Sequence, residues 1–268
     1  MLSINAGPFA PAISHLLLLG ALIAATWVEA TWVEARLVRH TLSRKTAVFG
    51  IFILGIVTAR VAFVLTYFAQ YSDTPWKALD IRDGGFMAWP GVICALLGVL
   101  IIGWHRPEQR RALTFGMGIG LAIWVSGSLI LDHYQKRIAL PDTTLWTLTG
   151  EPARVSDYRG KPMVVNLWAT WCPPCRREMP VLRDMQRQRK DITFLFVNQA
   201  ESAGAVSDYL STQQMVLSNS FLDPHGEFAR QVGSAALPTT LFYSPDGRLI
   251  GNHLGELSRA SLTHYLDK

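Results

Sequence analysis

The chain has 268 residues and a formal net charge of +5. Residues 1–137 hold 12 Lys and Arg against 7 Asp and Glu, whereas residues 138–268 hold 13 of each. Because the whole positive excess lies in the more apolar half, the composition argues against a nucleic-acid-binding surface and favours a membrane protein that continues into a second, soluble domain.

Four apolar segments in the first half approach the length of about 20 helical residues that a bilayer requires. They cover residues 13–33, 47–68, 86–104 and 112–131. Together they predict an α-helical transmembrane domain of four helices over residues 1–137.

The loops between these segments differ in charge. Basic residues gather in the first and third loops: Arg36, Arg39, Arg44, Lys45, Arg106, Arg110 and Arg111. The second loop is mixed, with Lys77, Arg82, Asp73, Asp80 and Asp83. The positive-inside rule then places the first and third loops in the cytoplasm and both termini on the other side. In a bacterium we expect a multi-pass inner-membrane protein whose C-terminal domain lies in the oxidising periplasm.

After residue 138 the pattern changes to short strands, turns and amphipathic helices. Strands are predicted at 163–168, 192–197, 239–244 and 249–253, helices at 173–189, 203–212, 228–232 and 258–266, and a further hairpin over 145–155. This order predicts an α/β domain with a central mixed sheet over residues 138–268, joined to the membrane domain through about residues 132–138.

Two of the three cysteines form the sequence Cys172-Pro173-Pro174-Cys175 at the start of a predicted helix. Free N–H groups and the helix dipole favour a thiolate there, so Cys172 is the predicted nucleophile. Cys175, one turn further on, is shielded and resolves the mixed disulfide. Pro173 and Pro174 lose little by lacking N–H groups in the first turn. The sequence therefore predicts a redox-active disulfide, with no metal and no other cofactor.

A C-x-x-C pair is also half of a zinc site. That interpretation needs two further ligands, but Cys94 lies in a predicted membrane segment, and the sequence holds no second C-x-x-C and no H-x-x-x-H pair. A copper chaperone of similar fold would be expected to space its cysteines C-x-x-x-C. Both metal interpretations are therefore disfavoured.

Residues 138–268 resemble the membrane-anchored thiol-disulfide oxidoreductases of the TlpA and ResA type, which belong to the thioredoxin superfamily. The matching stretches are Gly160-Lys161-Pro162, Asn166 to Cys175, Glu178-Met179-Pro180, Leu237-Pro238-Thr239-Thr240 and Pro245-Asp246-Gly247-Arg248. The resemblance implies a thioredoxin-like fold and thiol:disulfide exchange with extracytoplasmic proteins, as in cytochrome c maturation. It favours the reducing direction, with a membrane thiol reductase as electron donor.

The same resemblance assigns expectations to further residues. Pro238 would follow a cis peptide facing the dithiol. Trp171 and Pro238 would flank the disulfide and form the docking surface, and Pro173 and Pro174 between the cysteines would also contact the client. The backbone of Leu237 and Thr239 would be available to pair with an extended client segment.

Asn166 stands six residues before Cys172, where ordinary thioredoxins have a buried acid. Glu178 follows Cys175 by three residues, at the place of a functional glutamate in the resembling family, so it is a candidate for handling the proton instead. The alternative is a solvated helix residue paired with Arg176, Arg177 or Arg183.

The membrane half has a weaker resemblance, to the prolipoprotein diacylglyceryl transferases, through Ala59-Arg60 and the run Gly84 to Gly91. Trp89 replaces the histidine of that family's signature, and the spans are too few for the whole enzyme, so we do not expect transferase activity. A charge deep in a span usually has a partner or a function. Glu29, Glu34 or Asp83 could pair with Arg60, or Arg60 could bind a lipid headgroup, and we favour a structural role. Two rivals to a reductase stay open: a disulfide-forming oxidase with the same dithiol, and a lipid-binding or assembly module.

Overall fold

The computed structural model describes residues 13–36, 47–72, 74–136 and 139–267. Some residues of the predicted loops and linker lie outside this part: Arg39, Arg44, Lys45, Asp73, Arg137 and Ile138. The chain divides into two compact units. The membrane unit comprises Ser14–Asp80 and Gly85–Leu131, and the dithiol unit comprises Asp132–Lys268 with the segment Ile81–Gly84.

Four long helices form the N-terminal part of the chain. They are α1 (Ile13–Arg36), α2 (Ala47–Thr66), α3 (Ala88–His105) and α4 (Arg110–Lys136). Each is long and apolar enough to cross a membrane, so the prediction of four transmembrane helices is confirmed. Helices α1 and α4 continue past their apolar segments, because the bilayer limits the length of the apolar run and not that of the helix.

Small residues let these helices approach closely. A Cβ atom on Gly91 of α3 would lie 2.6 Å from the carbonyl oxygen of Gly55 in α2. A Cβ atom on Gly116 of α4 would lie 2.8 Å from the carbonyl oxygen of Ala25 in α1. Both distances are shorter than van der Waals contact, so only glycine allows these approaches. Close packing of this kind stabilises helix pairs in lipid, where no hydrophobic effect drives them together.

Arg60 of α2 is only 7% exposed, and backbone carbonyl groups surround its guanidinium. Nε donates to the oxygen of Ala78 at 3.1 Å, Nη2 to that of Asp80 at 2.8 Å and Nη1 to that of Gly85 at 2.8 Å. Its Cζ atom also lies 5.8 Å from three ring centroids, those of Phe63, Tyr71 and Phe86. These contacts tie α2 to the segment before α3, which supports the structural interpretation of Arg60.

Among the residues that the structure describes, the dithiol unit contains seven strands and the four α-helices that follow α4. The strands are β1 (Thr144–Thr147), β2 (Pro152–Arg154), β3 (Met163–Trp168), β4 (Thr193–Gln199), β5 (Ser220–Asp223), β6 (Thr239–Tyr243) and β7 (Leu249–Leu254). The helices are α5 (Pro173–Gln188), α6 (Ala203–Thr212), α7 (Glu227–Gln231) and α8 (Arg259–Leu266). They form one sheet in the order β2-β1-β5-β4-β3-β6-β7.

This sheet is mixed, as predicted. Strand β3 runs parallel to β4, and β4 parallel to β5, whereas the other neighbours are antiparallel. All residues of β3 are buried, and successive side chains enter opposite apolar clusters, with Val164 on one face and Val165 on the other. Because both faces of the sheet are covered, both sets of side chains on a central strand are buried, and the strand therefore reads as a nearly continuous apolar run.

Strand β5 was not predicted from the sequence. It has four residues, of which only Phe221 and Leu222 are apolar, so it offers neither alternation nor a long apolar run. Its place is set by neighbours that are distant in sequence, since Phe221 pairs with Val197 of β4 and with Thr147 of β1.

Candidate active site

The two cysteines of the C-x-x-C sequence meet at the N-terminus of α5. They are joined by a disulfide, with their Cα atoms 5.3 Å apart. Cys172 is the last residue before the helix, and its Sγ atom accepts a hydrogen bond from the Cys175 N–H at 3.3 Å. Cys175 is fully buried, and Cys172 is 3% exposed. Cys172 is thus the more accessible of the two cysteines, and it lies where helix N–H groups favour a thiolate.

The residues around the first cysteine divide into exposed and buried ones. Pro173 and Pro174 begin α5, where they displace no helical hydrogen bond. The Trp171 side chain is 65% exposed, so it is available to a client. Trp168 is fully buried and packs on the ring of Tyr209, with the ring centroids 5.6 Å apart.

The peptide bond between Leu237 and Pro238 is cis, as the resemblance implied. Pairing of Leu167 with Thr239 brings the start of β6 beside the end of β3, which leads to the cysteines. Thr239 also pairs with Leu254 of β7, and its side chain is 1% exposed. The expectation that the Thr239 backbone is available to a client is wrong, because neighbouring strands occupy both of its sides. Leu237 is half-buried and lies before β6, so the prediction that its backbone is available to a client stays open.

Glu178 lies one turn after Cys175 on α5 and is fully buried. Its Oε1 atom accepts a hydrogen bond from Asn166 Nδ2 at 2.8 Å, and its Oε2 atom accepts one from the Leu257 N–H at 2.8 Å. The alternative of a solvated, arginine-paired glutamate is wrong. Arg177 instead forms an ion pair with Glu256 at 2.7 Å.

Burial raises the pKa of the Glu178 carboxyl from 4.5 to about 8, even though the bonds from Leu257 and Asn166 lower it. Asn166 stands where ordinary thioredoxins have a buried acid. Its amide donates to the Glu178 carboxyl and also to Thr240 Oγ1 at 3.0 Å. The buried acid of the site therefore comes from the helix and not from the strand.

Two family sequence patterns match different parts of the chain. The pattern described as Redoxin matches residues 135–266. The Bacillus subtilis thioredoxin-like protein YneN is 30% identical over 161 residues, covering 56% of this chain and 92% of that protein. The chain belongs to the thioredoxin-like proteins, and its residues 135–266 form a redoxin domain. The thiol-disulfide oxidoreductase ResA of Bacillus thuringiensis is 28% identical to this thioredoxin-like protein over 130 residues, covering 48% of this chain and 75% of ResA.

These relatives and the bonded cysteine pair make this thioredoxin-like protein a thiol-disulfide oxidoreductase of the thioredoxin superfamily. Among solved structures, a secreted Mycobacterium tuberculosis disulfide oxidoreductase homologous to E. coli DsbE is similar, with 24% identity and a TM-score of 0.43. The similarity covers 47% of this chain and 95% of that one. Residues 13–130 match the family pattern described as prolipoprotein diacylglyceryl transferase, in agreement with the weaker resemblance and with a membrane protein.

Glu201, just after β4, is a site residue of this thioredoxin-like protein that was missed in the sequence. Its Oε2 atom accepts hydrogen bonds from the Thr170 N–H at 2.7 Å and from Asn198 Nδ2 at 2.7 Å, and its Oε1 atom accepts one from the Thr170 hydroxyl. Glu201 thereby ties the loop before Cys172 to the end of β4. The signal that could have found it is its position after a strand parallel to β3, because the carboxyl ends of such strands meet at one edge.

A positively charged hollow adjoins the disulfide. It has a volume of about 350 Å³ and is lined by Pro173, Arg176, Arg177, Tyr209 and Gln213. The Arg176 guanidinium lies over the Tyr209 ring, with Cζ 5.6 Å from the ring centroid. Across the described part of the chain, no group of three or more His, Cys, Asp and Glu residues could hold a metal ion.

Proposed function

We propose that this thioredoxin-like protein is a membrane-anchored periplasmic thiol:disulfide oxidoreductase that reduces disulfides of extracytoplasmic proteins through Cys172 and Cys175. The observation that carries the proposal is the disulfide at the N-terminus of α5, with the buried Glu178 one helical turn beyond it. Residues 138–268 act as the catalytic domain, and residues 1–137 anchor it in the membrane.

The exchange begins with the reduced protein. The Cys172 thiolate attacks one sulfur of the client disulfide, and the other client sulfur leaves and takes up a proton. The Cys175 thiolate then attacks Cys172 Sγ, which releases the second client thiol and forms the Cys172–Cys175 disulfide. The client gains two electrons and two protons. A separate membrane thiol reductase returns the electrons to the cysteine pair.

Glu178 handles the proton of the buried Cys175 thiol. Cys175 must lose that proton before it can attack, and the carboxyl one turn further along α5 accepts it. With a pKa of about 8, roughly one-tenth of the Glu178 carboxyl groups are ionised at pH 7. A group whose pKa lies this close to the working pH can both accept a proton and return it.

The client docks across the exposed Trp171 and the segment that contains Leu237 and Pro238. An extended client segment pairs with the backbone of Leu237 and places its cysteine over Cys172. The full burial of Cys175 keeps the client away from the resolving sulfur.

The direction of electron flow is tested by equilibrating the full chain in detergent with glutathione buffers and counting free thiols. We expect a potential more reducing than about −180 mV. A value near about −120 mV, typical of a strong oxidant, would instead identify a disulfide-forming oxidase. Reporter fusions at the C-terminus test the compartment, and a cytoplasmic signal would contradict it.

A Cys175→Ser variant tests the client interaction, because the stalled mixed disulfide carries the client with it. A lipid-binding or assembly module is the rival from another class. Full function of a Cys172→Ser variant in cells would favour that module over the enzyme. The carbonyl groups that bind the Arg60 guanidinium weigh against Arg60 as a lipid site.

A further inference from the structure

One cation beside the disulfide has no role in the exchange chemistry described above. Arg176 is in the first turns of α5, its side chain is exposed, and its N–H donates to the carbonyl oxygen of Cys172 at 3.1 Å. Its guanidinium lies over the ring of Tyr209 in α6, with Cζ 5.6 Å from the ring centroid. Arg176 thus follows the reactive cysteine by about one helical turn, and its guanidinium contacts the Tyr209 ring.

Two carboxylates of the site already have partners. Glu256 is paired with Arg177 at 2.7 Å, and Glu201 is bonded to Thr170 and Asn198. Within the ranges that the structure describes, Arg176 forms no ion pair. Its charge is thus available to an incoming group.

The hollow next to Arg176 has the size and lining for one short acidic side chain. Pro173 and the Tyr209 ring supply apolar walls, Gln213 supplies an amide, and Arg176 supplies the positive charge, since the charge of Arg177 is paired with Glu256. An arginine fork binds a carboxylate through two parallel hydrogen bonds, which gives orientation as well as energy.

We propose that this hollow binds an Asp or Glu side chain of the client, two or three residues from the client's reactive cysteine. An extended segment advances about 3.3 Å per residue, so two or three residues span the distance from Cys172 to a cation one turn along α5. The inference rests on the proposed exchange reaction and adds the class of client: proteins with an acidic residue close to the disulfide.

The test uses the full chain in detergent and three peptides, each with one disulfide and with Glu, Gln or Lys three residues from a cysteine. Exchange rates are measured in both directions at low and high salt. We expect the Glu peptide to react about 5–10 times faster than the Gln peptide and the Lys peptide to react slowest, with the differences shrinking at high salt. Arg176→Gln should bring the Glu and Gln rates within twofold. Arg187→Gln, the same charge change on an exposed residue near the end of α5, should keep the preference.

The comparison uses ratios between peptides, because losing Arg176 also changes the reactivity of Cys172 toward every peptide alike. Equal rates for the Glu and Gln peptides with the unmodified chain, or a preference that survives Arg176→Gln, would overturn the inference. A chain that oxidises all three peptides but reduces none contradicts the proposed direction alone, since the preference for Glu is still read from the oxidising reaction.

Discussion

Both units of the molecule bury formally charged side chains, and two of these, Arg60 and Glu178, are held differently. In the membrane unit, Arg60 donates to the carbonyl groups of Ala78, Asp80 and Gly85. In the dithiol unit, Glu178 receives two hydrogen bonds, from Asn166 and Leu257, and its pKa rises to about 8. A buried charge surrounded by fixed dipoles serves as a structural element. A buried carboxyl with fewer donors lies near its protonation midpoint and can move a proton.

The largest contrast between the units concerns their cysteines. Cys172→Ser removes the nucleophile and should lower the rate of peptide-disulfide exchange by about a thousandfold or more. Cys94→Ser is the matched change in the membrane unit, where Cys94 is a free cysteine of α3, and it should leave the rate unchanged. A comparable loss in both variants would contradict the assignment of all redox chemistry to the dithiol unit.

Arg60→Gln should destabilise the membrane unit by about 3 kcal/mol, because buried carbonyl groups lose charged donors. The measurement is thermal unfolding of the full chain in detergent. Arg111→Gln is the control, since Arg111 is exposed at the start of α4. The exchange rate of the folded Arg60→Gln protein should stay that of the unmodified chain. A normal melting temperature together with a slow exchange rate would show that Arg60 is functional and not structural.

Glu178→Gln should change the pH dependence of stability. Between pH 4.5 and about 8 the folded chain keeps the Glu178 proton and the unfolded chain loses it. The free energy of unfolding therefore falls by roughly 1.4 kcal/mol per pH unit as pH rises through this window, and the variant should lack that fall. Denaturant titrations at several pH values measure the free energy of unfolding of the variant and of the unmodified chain.

The same variant should slow the resolution of a mixed disulfide below pH 8, because Cys175 loses its proton acceptor. Glu151→Gln, an exposed change of the same kind, is the control for both measurements. If the free energy of unfolding depends on pH in the same way for Glu178→Gln and for the unmodified chain, Glu178 is ionised across the whole pH range. Glu178 would then carry a fixed charge as Arg60 does, and the proposed difference between them would be wrong.

The smallest expected effect is that of Glu201→Gln. It removes about 1 kcal/mol of hydrogen bonding from the loop before Cys172, so exchange with a neutral peptide should slow by about threefold to tenfold. Asp208→Asn, which alters charge equally on the exposed side of α6, should have no such effect. Exchange at the unmodified rate would show that β3 and α5 hold the loop without Glu201.

The sequence predicts those features that depend on neighbouring residues. Apolar runs predicted the four long helices, and the run from Met163 to Trp168 followed by a Pro-rich start predicted β3 and α5. The features that were missed depend on contacts between distant residues. Glu201 reaches Thr170 from 31 positions away, and Leu257 reaches Glu178 from 79 positions away. Strand order, which no local pattern contains, decided that Thr239 is enclosed on both sides.

The short distance between the two cysteines also determines how oxidants affect this protein. If peroxide oxidises the Cys172 thiolate, the product is a sulfenic acid with a second thiol only one turn away on the same helix. Condensation of the two releases water and forms the disulfide whose Cα atoms lie 5.3 Å apart. The oxidised sulfur is thereby captured before it reaches the irreversible sulfinic stage. Oxidation of Cys172 by peroxide would thus yield the same disulfide that the proposed exchange reaction forms.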